Sequence, residues 1–258
     1  VGAVAIPFAI PPGNAPIDFD KLETLVTSRT KMLCLCNPLN PTGKVFTKEE
    51  LQAFGNFALK HHLIILSDEI WSDIIFTPHV FTSIASLSEA IRNITITITG
   101  FSKSYGLAGL RIGSVMASGA AHFKRLMDAS LHNSTVHGAN VLSQVAAIAA
   151  LDKCQYWLKE FLVHLQKMRD ICVRELNTIE GFHCIAPEGC YVAFANITGT
   201  GKTSSELHQL LLQEAKVAIV PGLPQWFGSG AEGYIRLSFA TSAEVLETAL
   251  SRIKKTMG

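Results

Sequence analysis

Two rhythms of apolar residues alternate along the first half of this chain. Over residues 18–28 the apolar positions Leu22, Leu25 and Val26 recur at helical spacing, and residues 32–36 then form a short unbroken run of strand length. Residues 48–62 return to the helical period, opened by Thr47 with Glu50 three positions on, which is the pattern of a capping box. Apolar, β-branched runs at 63–66, 94–99 and 112–117 predict three more strands. Strands that alternate with helices predict an α/β fold with a largely parallel sheet.

The character changes from residue 134. Residues 134–151 and 155–179 read as two long helices, followed by strands at 182–185 and 191–196, a helix at 204–215, strands at 217–220 and 234–239, and a closing helix at 243–256. This order predicts a smaller α+β domain, and we place the division at residue 155, giving domains 1–155 and 156–258. In the last strand, alternation puts Tyr234, Arg236 and Ser238 on one face, and Ile235, Leu237 and Phe239 on the core face.

Composition narrows the function classes. A chain of 258 residues with a formal charge of +1 carries no field that would draw it to nucleic acid or to an anionic membrane. No apolar run approaches the roughly 18 residues needed to span a bilayer. Even so, 48% of the residues are apolar, and such a surplus without a span predicts a large subunit interface. The six cysteines lack C-x-x-C spacing and read as reduced thiols. No metal site is expected: His61-His62 closes a helix, where positive charge is favourable. Residues 228–233 match G-x-G-x-x-G, but a strand follows where a dinucleotide site needs a helix.

The candidate chemistry lies just beyond the predicted strands, where ligands gather in open α/β sheets. Asn40 follows the strand at 32–36 within Asn37-Pro38-Leu39-Asn40-Pro41-Thr42-Gly43. Asp68 follows 63–66 within Ser67-Asp68-Glu69-Ile70-Trp71. Lys103 follows 94–99 within Ser102-Lys103-Ser104-Tyr105-Gly106-Leu107-Ala108-Gly109-Leu110-Arg111-Ile112-Gly113. An amide, a carboxylate, an amine and an arginine in this order supply a hydrogen-bond donor, an acid that can pair with a cation, a nucleophile and a bidentate anion clamp.

These motifs resemble those of the fold-type I pyridoxal-phosphate enzymes, the class I/II aminotransferases, over essentially the whole chain. The resemblance implies a mixed, largely parallel sheet in a large domain, a smaller C-terminal α+β domain, and pyridoxal 5'-phosphate as cofactor. It makes Lys103 the catalytic Schiff-base lysine, Arg111 and Ser102 phosphate ligands, Asp68 the partner of the pyridine nitrogen, and Asn40 the residue facing the ring oxygen. Trp71 stands where the family often has a tyrosine that touches the same oxygen. Gly233-Tyr234-Ile235-Arg236-Leu237-Ser238 resembles the strand whose arginine, here Arg236, grips the substrate α-carboxylate.

The resemblance further implies a cytoplasmic homodimer acting on an amino acid and a 2-oxo acid, with no nucleic acid or membrane partner. It covers the middle and end of the family pattern, so an N-terminal portion is expected to be missing, and a chain without it is expected to bind cofactor weakly or not at all. Residues 31–38 and 48–51 also look like cystathionine β-lyase-like C–S lyases, which makes β-elimination the alternative to transamination. A non-catalytic aminotransferase-like domain of the kind fused to DNA-binding modules is the third reading.

Overall fold

The computed structural model describes residues 2–11, 13, 15–130 and 138–258. These fall into two compact units: one takes residues 26–39 and 45–162, the other residues 1–25, 40–44 and 163–258. The expected division at residue 155 is contiguous, whereas these units are interleaved, because two early segments pack with the C-terminal part of the chain.

In the unit of residues 26–39 and 45–162, strands β1 (Met32–Cys36), β2 (Ile64–Asp68), β3 (Thr95–Gly100) and β4 (Gly113–Ala117) form a four-stranded sheet in sequence order. β1, β2 and β3 run parallel, and β4 returns antiparallel to β3, so the sheet is mixed and largely parallel. The apolar run at 63–66 under-reads β2 at its end. Ser67 and Asp68 extend the strand by pairing with Leu35 and Cys36, because the backbone ladder takes no account of side-chain polarity.

Helix α1 (Phe19–Thr24) belongs to the other unit and is shorter than the helix expected over 18–28, since Thr27, Ser28 and Arg29 turn instead, with the Thr27 and Arg29 N–H groups donating to Thr30 and Thr27 hydroxyls. Helix α2 (Lys48–Lys60) begins where the capping box predicts: Thr47 Oγ1 accepts from Glu50 N–H, and the Glu50 carboxylate accepts from Thr47 N–H. Its inner stripe buries Leu51, Phe54, Phe57 and Ala58. Each large side chain contributes about 1.5–3 kcal/mol by leaving water. Helix α3 (Glu89–Asn93) packs Ile91 against Gly55, and is too short for its period to show in the sequence. Helices α4 (Ala120–Ser130) and α5 (Val141–Lys153) follow the sheet. The helix expected over 134–151 starts at Val141 with Asn140 as its cap, and its expected residues 134–137 lie outside the described ones. α5 leaves Val141, Leu142, Val145, Ile148 and Leu151 exposed.

Helix α6 (Gln155–Leu176) gives residues 155–162 to one unit and 163–176 to the other. It stops short of residue 179 because the Asn177 side chain exchanges hydrogen bonds with the Cys184 backbone. The second sheet, β5 (His183–Cys184), β6 (Val192–Asn196), β7 (Val220–Pro221) and β8 (Tyr234–Ser238), is antiparallel in the order β5-β6-β8-β7. Helices α7 (Ser204–Leu210), α8 (Pro224–Phe227) and α9 (Ala243–Met257) complete this α+β unit. The strand expected at 217–220 shrinks to Val220–Pro221: the Val217 N–H closes the preceding helical turn on Leu211 O, after Lys216 takes a left-handed conformation at φ 55°. Along β8, Ile235 and Leu237 are buried while Tyr234 and Arg236 are half-buried, so the alternation holds.

All six cysteines are free thiols; Cys172, Cys184 and Cys190 are buried, Cys36 and Cys154 are half-buried, and Cys34 on β1 is exposed. No helix among the described residues is long and apolar enough to cross a membrane.

Candidate active site

Because β1, β2 and β3 are parallel, their carboxyl ends share one edge of the first sheet. The ladder continues one step beyond the strands, with Asn37 N–H on Asp68 O and Glu69 N–H on Ile98 O. Asp68 is thus held at the end of β2, where Oδ1 accepts from the Ile70 N–H at 3.1 Å, and Oδ2 has no partner among the described residues. The Asp68 cap closes a tight turn over residues 69–74; no helix follows.

The segment from Phe101 to Ile112 joins β3 to β4. Its base is closed by the Gly100–Gly113 pair, and a side chain at Gly113 would put Cβ 2.9 Å from Thr99 O, so the close approach requires glycine. Ser102 and Arg111 stand two residues out from that pair on opposite arms. The Tyr105 and Leu107 N–H groups both donate to Phe101 O, which curls the loop around that carbonyl. Arg111 takes the left-handed conformation at φ 52° and is exposed, and Leu110 O accepts from the buried Ser143 hydroxyl at 2.6 Å.

Within the loop Lys103 is half-buried, with Nζ 5.0 Å from the centroid of the Trp71 ring, a cation–π distance. The Ser102 hydroxyl, the Lys103 amine and the Arg111 guanidinium make no hydrogen bond or ion pair among the described residues. One carboxylate oxygen, one hydroxyl and two cations at one end of one sheet therefore keep their bonding capacity for something other than protein.

Asn40 belongs to the other unit with Arg236. Arg236 Nη1 donates to Asn40 Oδ1 at 3.1 Å, leaving the Asn40 amide hydrogens free to donate elsewhere. The segment that carries Asn40 is fixed by Gly43, whose carbonyl accepts from both Glu188 and Gly189 N–H groups, and by Lys44 Nζ donating to Gly13 O. Gly43 sits at φ 74° with Pro187 so close that a Cβ would lie 2.3 Å from it, so no other residue fits. The Arg236 guanidinium lies over the Phe227 ring, 5.2 Å from its centroid, and Phe227 meets Phe194 edge-on. Burial pulls the Arg236 pKa below its ordinary value, with the nearby Cys190 acting the other way.

Sequence reasoning passed over two features of this edge. Ser104, 1% exposed, donates from Oγ to Asp73 Oδ2 at 2.5 Å. Glu69, 6% exposed, accepts from Ser67 Oγ at 2.9 Å and Ser83 Oγ at 2.7 Å. Both pairs join residues whose closeness depends on the turn over 69–74, and no spacing rule announces such a turn.

Burial raises the Glu69 carboxyl above its ordinary range; the two serine hydroxyls oppose the rise and Asp68 adds to it. The native chain therefore holds this proton more tightly than the unfolded chain. Its stabilising share is complete below the unfolded glutamate pKa, and is lost as pH rises through the native value. Glu69→Gln is expected to flatten that decline, as followed by thermal unfolding between about pH 4 and about pH 8. An unchanged slope would remove Glu69 as its source.

Comparison with known proteins gives the family. Residues 2–253 match the family of class I and II aminotransferases. The chain is 36% identical over 243 residues to an aspartate aminotransferase of Pyrococcus abyssi, covering 93% of this chain and 61% of that protein. Among solved structures it is similar to an aromatic aminotransferase from Pyrococcus horikoshii, with a TM-score of 0.85 at 34% identity over 93% of this chain and 63% of that one. It is also similar to cystalysin from Treponema denticola, which contains a pyridoxal 5'-phosphate cofactor, with a TM-score of 0.88 at 26% identity over 93% and 61%. The chain spans about three fifths of the length of the curated relatives it matches. A mixed sheet with an amine, a carboxylate and an arginine at its carboxyl edge, together with a match from residue 2 to residue 253, has one reading: this chain belongs to the aminotransferase class I and II family.

Proposed function

We propose that this chain carries the catalytic loop, cofactor cradle and carboxylate grip of a pyridoxal-phosphate-dependent aminotransferase, which moves an amino group between an amino acid and a 2-oxo acid. The observation that carries the reading is the unspent bonding capacity of Asp68 Oδ2, Ser102 Oγ, Lys103 Nζ and Arg111 at one sheet edge. Those groups suit a ring nitrogen, a phosphate and an aldehyde in kind and in charge, so the residues present fit the cofactor. When bound, pyridoxal 5'-phosphate supplies an aldehyde for amines and a pyridine ring that accepts the electrons left at the substrate Cα.

The chain's own residues do the rest. Arg111, planar and doubly donating, holds the phosphate with the Ser102 hydroxyl. Asp68 Oδ2 would pair with the ring nitrogen and favour its protonated form, and its capped Oδ1 fixes the carboxylate's orientation. The Lys103 amine would hold the cofactor at its aldehyde and move a proton at the substrate Cα. The Trp71 ring lies 5.0 Å from the Lys103 amine, so it would border the space in which that amine works. In the other unit, Arg236 would grip the α-carboxylate, and the Asn40 side-chain oxygen, which accepts from its Nη1, holds the guanidinium in place.

The exposed aliphatic residues of α5 support a homodimer, and the composition supports a cytoplasmic enzyme. Incubation with amino acids and 2-oxoglutarate is expected to produce glutamate. Release of pyruvate and thiol from cystathionine, without glutamate formation in the first assay, would overturn transamination in favour of β-elimination.

A further inference from the structure

Lys103 presents a physical problem. Its four-carbon stem has many rotamers, and among the described residues its amine has no hydrogen bond to select one. A reactive group is held within a fraction of an ångström only when neighbouring residues are themselves locked. The lock is visible one residue along. Ser104 is buried at 1% exposure, and its hydroxyl reaches Asp73 Oδ2 at 2.5 Å, the short distance of an O–H donor on an ionised oxygen.

Asp73 lies in the same turn as Trp71, the residue against which the Lys103 amine rests at 5.0 Å. That turn is rigid. Ser72 N–H donates to Glu69 O, Ile74 N–H donates to Trp71 O, and Ile74 is fully buried while Trp71 is 5% exposed. Residues 71 and 73 of one anchored turn thus touch the consecutive residues 103 and 104 of the loop. The Asp73 charge also reaches Tyr105, whose phenol is pushed up first by burial and then by this carboxylate.

We propose that Asp73 and Ser104 are positioning residues for Lys103: a carboxylate–hydroxyl clasp that fixes the lysine loop against the turn of Trp71. Neither residue touches the reacting atoms; each acts through the loop backbone. The inference rests on the assignment of Lys103 as the reactive amine. It predicts that loss of the clasp scatters the amine without unfolding the chain.

The experiment treats the 258-residue chain with excess pyridoxal 5'-phosphate, fixes bound label with borohydride, and counts label on Lys103 against the other lysines by peptide mass spectrometry. Label concentrated on Lys103 in the unaltered chain, a fall of roughly tenfold in that preference for Ser104→Ala and Asp73→Ala, and recovery with Ser104→Thr support the clasp. Asp73→Asn keeps the shape and a neutral acceptor, and is expected to fall between; it also serves if the alanine variants fail to fold. Undiminished preference for Lys103 in folded Ser104→Ala and Asp73→Asn overturns the clasp and leaves Lys103 in its role. No preference for Lys103 in the unaltered chain overturns the assignment of the reactive amine, and the clasp with it.

Discussion

Lys103→Ala is expected to lower turnover by about two to four orders of magnitude with cofactor in excess, the range a positioned proton-transferring group supplies. Folding is expected to be unaffected, because the amine makes no hydrogen bond or ion pair among the described residues and the side chain is only half-buried. Circular dichroism melts and transamination rates, measured side by side, separate the two quantities. Arginine at this position keeps the charge over the indole ring but is too basic to give up a proton, so Lys103→Arg is expected to match the alanine variant in rate. Turnover surviving in either variant would move the chemistry away from this loop.

The second large effect is expected at Arg236. Exchange for lysine preserves the charge but loses the planar fork, and a single ammonium cannot both donate to Asn40 and pair bidentately with a carboxylate. One charge-assisted hydrogen bond is worth about 1.5–3 kcal/mol, so carboxylate affinity is expected to fall by roughly tenfold to a hundredfold. Titration of a simple 2-oxo acid against Arg236→Lys checks it. Asn40→Ala, which leaves the guanidinium intact, is expected to lose less. Equal binding by the native chain and Arg236→Lys would place the carboxylate grip elsewhere.

Much of the first sheet was legible in the sequence because its strands are apolar and its helix α2 opens with a capping box that the structure retains. The legibility ended where backbone pairing outruns hydrophobicity, as at Ser67 and Asp68, and where elements are too short to show a period, as in Glu89–Asn93 and Pro224–Phe227. Division into units was hidden for a different reason. Gly43 and Lys44 tie their segment to residues 187–189 and 13 by backbone carbonyls, and carbonyls leave no trace in residue types. The candidate site divides in the same way. Asp68, Lys103 and Arg111 follow from strand order and loop length, whereas Ser104–Asp73 and Glu69–Ser83 depend on a turn that only coordinates reveal.

The reversal of direction between β3 and β4 has one more consequence. Had β4 run parallel to its neighbour, the connection would have had to cross to the far edge of the sheet, carrying Arg111, two residues before β4, away from the end of β3 that Lys103 follows. Doubling back lets a single uninterrupted dozen residues carry both cations. The segment can therefore be inherited, recognised or grafted as one piece, and an insertion between Lys103 and Arg111 lengthens the chain that joins the two charges.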